Sequence, residues 1–598
     1  MRRIIILLVA MTLACQMHGQ IVLDRPDFSV GNFYYRIIVP GQEVELVPDP
    51  EGCVYYTGDI VVPDTVEYEG VVYNVTSIGE YVFYNAILNS IVLPKSIKSL
   101  SNNSFSRAEI RQDLLLPDSL RSIGECAFLG VGGVTNIFVP RKVENIGLKA
   151  FGTMLNLQNI YVDTLNQYYT SLDGVLYNKE KTKLISFPPA ITGRYIIPTD
   201  TRIIGTCAFE NCKINEIVIP NTVAILEEAS FSVCENLTKI HIPASVACIR
   251  GGVFRGCKNL RDFSIDTLNS NYKIVDNVLY SINMDTLHSH HLASDSVCVV
   301  NGVKIIGVDA FAATANLKVV VLPEGVEELQ YGAFQSSNIR TIYLPQTLKS
   351  IGESAFWETR LLKKVNIPNS VNYLGNECFY GSGLTVVKMS DSVKIIPYNA
   401  FTYCFDLESY SGGASVERIE EYAFTYCSSL SGKIIFPNTL KVIESFAFFA
   451  TALTEIEFTG MVDTIGSNSF ERLLKLTLQN PEPPYLKGKI ASSCNKIIIP
   501  CGATSAYMSD PNWSSYNYEE DCGGVEEIDP QSTVQVVAQH HAIEVHNAEE
   551  YAVAIYDVMG RCHAAESATG QSLRHYPLPT AGVYVVHING KGYKVVVR

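Results

Sequence analysis

The sequence predicts a β-rich solenoid with a 22–23-residue period, closed by a cap and followed by a small β-sandwich. Three observations carry this reading. A short phrase recurs: "SIGESAF" at 350–356, "SIGECAF" at 122–128, "IIGTCAF" at 203–209 and "RIEEYAF" at 418–424. Its phenylalanine, or the equivalent residue, falls at 83, 105, 128, 151, 209, 231, 254, 311, 334, 356, 379, 401, 424, 448 and 470, in steps of 22 to 24 except for one of 58 and one of 57. The repeat stops by residue 480, and beyond residue 532 short alternating strands begin. A fixed period of this length marks stacked units, none of which can bury its apolar face alone.

The elements follow in chain order. Arg2 and Arg3 precede an apolar run from Ile4 to Ala14, which reads as a secretory signal peptide, residues 1–19, too short to span a bilayer. Two processing routes fit. Cleavage after Gly19 would expose Gln20, the route preferred here; Thr12-Leu13-Ala14-Cys15 resembles a lipobox, which would place a lipid on Cys15. Residues 20–54 lead into the solenoid, which spans 55–480. No later segment is long and apolar enough for a membrane helix. The net charge of −15 and the absence of a Lys/Arg-rich run argue against a nucleic-acid partner.

One full unit is "LTKIHIPASVACIRGGVFRGCKNL" (237–260). Ile240 and Ile242 alternate with polar residues, as in a strand with one buried face. Pro243 ends the strand because it has no N–H to donate. Val246 and Ile249 turn inward again, and Phe254 follows in a tight or helical turn. The two long steps are inserts near 160–195 and 263–300. "DTLNQYYTSLDGVLYN" (163–178) and "DTLNSNYKIVDNVLYS" (266–281) resemble each other at an offset of 103 residues, so a larger unit has been duplicated. "SGGASVERI" (411–419) and "EFTGMV" (457–462) depart from the pattern and predict local irregularity.

The pattern L-x-x-I-x-I-P-x-S-V-x-x-I-G-x-x-A-F-x-x-C resembles the BspA-like leucine-rich repeat family of bacterial surface proteins. "KIIIPCGATSAYMSDPNWSSY" (496–516) is similar to the cap of that family, here assigned to 481–524. A cap is physically required because the last coil otherwise exposes core and a strand edge. After an acidic linker, residues 525–598 read as a β-sandwich from "TVQVVA", "AIEVH", "YAVAIYD", "GVYVVHI" and "YKVVVR". "IYDVMGR" (555–561), "LPTAGVYVV" (578–586) and the final "YKVVVR" resemble the type IX secretion sorting domain. That resemblance implies export across the outer membrane to the cell surface or beyond.

Candidate chemistry is sparse. Cys212, Cys234, Cys257, Cys404 and Cys427 each stand three residues after a repeat phenylalanine, which predicts buried small hydrophobes. No C-x-x-C pair suggests zinc. Cys501 and Cys522 lie outside this pattern and are the disulfide candidates in an exported chain. "LHSHH" gathers His288, His290 and His291, and "QHH" (539–541) adds a second group near His546. Without acidic or thiol ligands at a recognisable spacing, both read as solvated loops and no metal site is assigned. No nucleophile elbow, P-loop or dinucleotide fingerprint occurs, so the sequence predicts a non-enzyme without a cofactor.

The candidate binding surface is the outward column of the strands. It reads Val92, Leu115, Phe138, Tyr161, Ile196, Val218, His241 and Ser264, then Val321, Tyr343, Asn366, Lys388, Ser411, Ile435 and Glu457. The first six are apolar or aromatic and would form one continuous strip about 5 Å apart along the concave side. Phe138, Tyr161, Ile196, Val218, His241 and Tyr343 are the binding candidates. Val, Ile, Tyr and Phe also suit any strand. The family resemblance implies adhesion to a host or microbial surface protein or polysaccharide. A structural or glycan-associated surface component is the alternative, and a metal-dependent enzyme the third.

Overall fold

The computed structural model describes residues 25–50, 56–291 and 295–522, and the strands of 534–597. The leader with Cys15 and Gly19, the linker at 523–533 and His540 and His541 lie outside the described residues. Two units are distinguished. The first runs to Gly432 and adds Thr439–Leu453 and Gly466–Glu471; the second takes Lys433–Asn438, Thr454–Ile465 and the chain from Arg472 onward.

The first unit is the solenoid. Strands of three to six residues form one face, and two-residue strands form another. Both pair in parallel with the coils before and after: Lys239–Ile242 pairs with Asp262–Ile265, and Ser350–Ile351 with Glu328–Leu329 and Tyr373–Leu374. The unit read from 237–260 holds. Ile240, Ile242 and Val246 are fully buried, and Ile249, Phe254 and Leu260 nearly so. The Ser of "PASV" is also explained, since Ser245 Oγ donates to the Val223 carbonyl of the preceding coil at 2.7 Å.

The phenylalanine turn is not helical. Residues two before and two after the ring take the left-handed conformation, as at Ser354 (φ 53°) and Glu358 (φ 55°). This directs three N–H groups toward the next coil: Ser354 to Asn376 O (2.9 Å), Phe356 to Cys378 O (2.8 Å) and Glu358 to Tyr380 O (2.7 Å). Left-handed backbone is unfavourable for non-glycine residues, and the coil-to-coil bonds hold it. Gly375 has a different reason, because a Cβ there would lie 2.2 Å from the Glu353 nitrogen.

The rings stack in three runs, Phe83 to Phe151, Phe187 to Phe254 and Phe311 to Phe470, with centroids 4.7–5.8 Å apart. The breaks are the inserts. Each is an antiparallel three-stranded meander, Tyr169–Leu172, Val175–Asn178 and Lys183–Ser186 in the first, and Tyr272–Val275, Val278–Ser281 and Thr286–His290 in the second. The third strand of each rejoins the two-residue ladder. The duplication extends to single atoms. Buried Asn166 donates to the Pro140 and Val143 carbonyls and accepts from the Tyr168 and Tyr169 nitrogens; buried Asn269 does the same with Pro243, Val246, Asn271 and Tyr272. The Tyr169 hydroxyl accepts from Ile146 N and that of Tyr272 from Ile249 N, both at 2.9 Å.

The N-terminal segment is itself part of the solenoid's end. Phe28–Val30, Phe33–Val39 and Glu43–Val47 form an antiparallel meander, and its last strand pairs in parallel with Val71–Ile78. Buried Glu45 accepts from Ser77 (3.0 Å) and Ser101 (3.2 Å) and pairs with Arg36. The irregularity expected at "SGGASVERI" is one-sided: Ser409–Gly412 is in register with Val386–Met389 but ends that sheet.

In the second unit, Ile497–Pro500 pairs with Tyr518–Asp521, and a short helix, Thr504–Ser509, lies between them in sequence. Trp513 is fully buried and donates Nε1–H to Pro484 O at 2.8 Å. The C-terminal strands form two antiparallel sheets of three and four strands. Two of them, Cys562–Ala568 and Ser572–Pro577, escape the sequence reading because their alternation is weak.

Phe356 is fully buried between Phe334 (5.2 Å) and Phe379 (5.1 Å). Phe356→Ala should cost about 3–5 kcal/mol in denaturant unfolding, whereas Tyr343→Ala, on the outward face, should change stability by no more than about 0.5 kcal/mol. Equal losses would reverse the assignment of inside and outside.

Candidate binding surface

The outward column is real, but it is not one strip. Phe138 (45%), Tyr161 (47%), Ile196 (60%) and Tyr343 (59%) are well exposed. His241 is also exposed, while Val218 is half-buried. Direct pairing places Phe138 beside Tyr161, Ile196 beside Val218, Val218 beside His241, His241 beside Ser264, and Val321 beside Tyr343. His241 Nδ1 and Ser264 Oγ are 3.0 Å apart.

Continuity fails at Leu115, which lies outside any strand, and again between Tyr161 and Ile196. The first insert supplies the next hydrogen-bonding partners of strand Asn159–Val162: Ile160 N–H donates to Gly174 O (2.8 Å) and Val162 N–H to Ser171 Oγ (3.1 Å). The extra residues therefore enter the sheet edge instead of looping away from it. The column also starts one coil earlier than the phrase suggests, because exposed Val61 pairs with Val92. "DIVVP" (59–63) carried that signal without a repeat phenylalanine.

A charged row runs beside the column. Arg194, Glu216, Lys239 and Asp262 are consecutive cross-strand neighbours of alternating sign. Arg194 and Glu216 are 3.5 Å apart, and Lys239 and Asp262 3.3 Å. Such exposed pairs contribute little to stability. An apolar column beside a neutralised charge row suits docking of another surface; it contains no catalytic constellation.

The cysteines fall as read. Cys212, Cys234, Cys257, Cys404 and Cys427 are buried. Each thiol donates to a ring-bearing residue of the preceding coil, at 3.6 Å to Phe187 O, 2.9 Å to Phe209 O, 3.0 Å to Phe231 O, 3.1 Å to Phe379 O and 3.1 Å to Phe401 O. Burial pushes Cys212, Cys234 and Cys427 well above the usual thiol range. Cys501 and Cys522 form a disulfide. Glu520 accepts from the Gly502 and Thr504 nitrogens (2.8 and 3.0 Å) beside it.

The histidines need correction. "LHSHH" is not a solvated loop: His288 and His290 lie on strand Thr286–His290. His290 stands where the first copy has Phe187, 103 residues earlier. Its N–H donates to Ala310 O as that of Phe187 does to Ala208 O, and its ring lies 4.9 Å from Phe311. His290 is buried, with neither ring nitrogen hydrogen-bonded within the described structure. His291 meets Ser289 Oγ at 2.7 Å and sits edge-on to Phe263 at 5.1 Å. His288 is edge-on to Tyr272. Among the described residues these imidazoles do not converge with a third metal-ligating group. Cys501, Glu520 and Cys522 do converge, but both sulfurs are consumed by the disulfide. Burial holds His290 down to about 4 and His291 to about 3. Burial also raises Asp309, next to them, to about 6, against the nearby Arg255 guanidinium.

Residues 71–172, 191–295, 289–408 and 394–481 match the family described as BspA type leucine-rich repeat region, and 524–597 match a domain of unknown function (DUF6383). No curated protein matches the chain. Among solved structures, it is similar to a leucine-rich cell surface protein from Faecalibacterium prausnitzii at 23% identity, covering 64% of this chain and 94% of that one with a TM-score of 0.36. A leucine-rich repeat protein from Bacteroides ovatus shares 19% identity over 82% of this chain and all of its own, with a TM-score of 0.27. The pneumococcal vaccine antigen PcpA shares 17% over 72% and 98%, with a TM-score of 0.31.

The buried imidazoles make stability depend on pH. Their folded pKa values lie below the unfolded value, so the unfolded chain binds more protons as pH falls from about 6.5. Stability is present above that pH and is lost toward pH 4. Asp309 opposes this between about pH 4 and 6, because its folded pKa is raised. Three lowered imidazoles, His288, His290 and His291, against one raised carboxyl leave a net loss. His290→Phe, which restores the residue of the first copy, should remove about 2 kcal/mol of the loss between pH 7 and 5. Parallel curves for variant and parent would show that His290 titrates normally.

Proposed function

The chain belongs to the BspA-type leucine-rich repeat family, and we propose that it is an exported bacterial cell-surface protein whose solenoid binds a protein or cell-surface partner, in the manner of an adhesin. The observation that carries this reading is the exposed apolar column on the strand face, with Phe138 and Tyr161 as neighbouring aromatic anchors. Exposed apolar surface of this kind marks interaction sites, and aromatic residues dominate the energetics of interfaces. The outward positions become more polar farther along, at Asn366, Lys388 and Ser411, so the early coils are the contact region. Phe138→Ser/Tyr161→Ser should leave the melting temperature unchanged and weaken binding to matrix proteins or bacterial surfaces by about tenfold or more. Undiminished binding by the double variant would remove the strand face from the function.

The two-sheet C-terminal region acts, in this reading, as the sorting element for type IX secretion. Support comes from "IYDVMGR" (555–561) and the terminal "YKVVVR", and from its separation from the repeats by a linker. Deleting 525–598 should leave a folded solenoid that no longer reaches the cell surface. Surface labelling of the truncated protein at full-length levels would overturn that assignment.

A further inference from the structure

Both inserts return the chain to the ladder in the same way, but the space beside the second return is open where that beside the first is filled. In the first copy, long side chains cross between the coils of Phe151 and Phe209. Lys149 Nζ donates to Glu210 Oε1 at 3.1 Å, and Lys213 Nζ donates to Leu155 O at 3.2 Å. Counted from the ladder phenylalanines, Gly252 replaces Lys149 in the second copy, Ala312 replaces Glu210 and Ala315 replaces Lys213. His290 replaces the buried ring of Phe187. A cavity of about 60 Å³ lies here, and Phe254, Arg255, His290, Asp309, Ala312 and Ala315 are among its walls. A space of that size has room for roughly four waters.

The walls carry polar groups that the fold leaves unmatched. His290 is only 4% exposed, and neither of its ring nitrogens is hydrogen-bonded within the described structure. A neutral imidazole has one donor and one acceptor, and leaving both without partners in the interior is costly. Asp309 stands two places before Phe311, where the first copy has Cys207. Its carboxyl is held between glycines: a Cβ at Gly252 would lie 2.6 Å from Oδ2, and one at Gly332 would lie 2.3 Å from Oδ1. Oδ1 has no hydrogen-bond partner within the described structure. Arg255 Nη1 is 3.7 Å from Oδ2, beyond hydrogen-bond range. Burial disfavours the ionised form of this carboxyl, which a further cation beside it would offset. The first copy thus closes the gap with its own ammonium and carboxylate. The second keeps a carboxyl, a guanidinium and an unmatched imidazole around open space.

We propose that this cavity binds a small zwitterion, a free amino acid of the size of glycine or alanine, with its ammonium toward Asp309 and its carboxylate toward Arg255 and the His290 ring N–H. The ligand then supplies the pair of opposite charges that Lys149 and Glu210 supply in the first copy. Glycine and alanine, at about five and six non-hydrogen atoms, match a space of this size, whereas a long side chain has no room. Both charged ends gain charge-assisted hydrogen bonds. A lone anion would leave the Asp309 carboxyl without a donor, and a lone cation would leave the imidazole N–H without an acceptor. The site is separate from the strand column and goes beyond the adhesin reading.

The test is equilibrium dialysis of the full chain against radiolabelled glycine at neutral pH. Glycine should be retained, and unlabelled alanine should displace it. Acetate, methylammonium and leucine should displace it at least about tenfold less well. His290→Phe restores the residue of the first copy, and Asp309→Asn keeps the shape of the carboxyl. Each should weaken retention about tenfold without lowering the melting temperature at neutral pH. Ala312→Glu, which puts the side chain of Glu210 back into the space, should abolish it. Phe138→Ser/Tyr161→Ser should retain glycine as the parent does, so this site and the strand face can fail separately. No retention at glycine concentrations on the order of millimolar would overturn the proposal. So would undiminished retention by Ala312→Glu or by His290→Phe, which would place any binding elsewhere. Displacement by acetate or methylammonium as efficient as by alanine would also overturn it, by reducing the cavity to a simple ion site.

Discussion

Everything in the solenoid depends on one arrangement, the turn that carries the ladder phenylalanine. Its ring fills the space between two coils, and its three forward-pointing N–H groups bond to the following coil. Neither contribution exists within a single coil. The ring's burial is worth about 2–3 kcal/mol only when a neighbour covers it, and the left-handed residues flanking it are tolerated only because the coil-to-coil bonds determine them. Cooperativity therefore runs along the stack, and a coil is stable in proportion to its neighbours.

That arrangement has a direction. Each turn gives N–H groups to the next coil and offers carbonyls to the previous one, so the two ends and every interruption pose different problems. At the first end the antiparallel meander of 28–47 continues the sheet, with Glu45 collecting the hydroxyls of two coils. At the inserts the missing neighbour is imitated by side chains. The amide of Asn166 or Asn269 bonds to two carbonyls, and a tyrosine hydroxyl accepts the strand nitrogen left without its partner. Two residues in each insert thus close the ladder, which is why the copies agree at these atoms although much of the sequence between them differs.

The period made the stacking, the inward residues and the cysteine positions legible, because each repeats many times and chance alignment is averaged away. What happens once or twice was harder to read. The left-handed sites are occupied by Ser354, Glu377 and Tyr403 as well as by glycines, so no local preference announces them. The insert's entry into the sheet rests on backbone bonds of Gly174 and a single Ser171 hydroxyl, and this split a column that a strictly periodic reading would keep whole. His290 was misread for a different reason. Judged by its neighbours, "LHSHH" looks polar and exposed; aligned on the 103-residue duplication, it falls on Phe187 and belongs to the ring stack. The signal was present in the sequence, in the offset and not in the local composition.

The same logic separates structural from functional aromatics. A ring that the fold requires recurs at its position in every coil, as the ladder phenylalanine nearly does. A ring that appears in only some coils, and outside the core, is not required by the stacking. Phe138 and Tyr161 on the strand face are of this second kind. Local loss of periodicity on an otherwise periodic frame is therefore the most informative mark of function that this sequence contains. It points to outward positions that are free to change without disturbing the ladder beneath them.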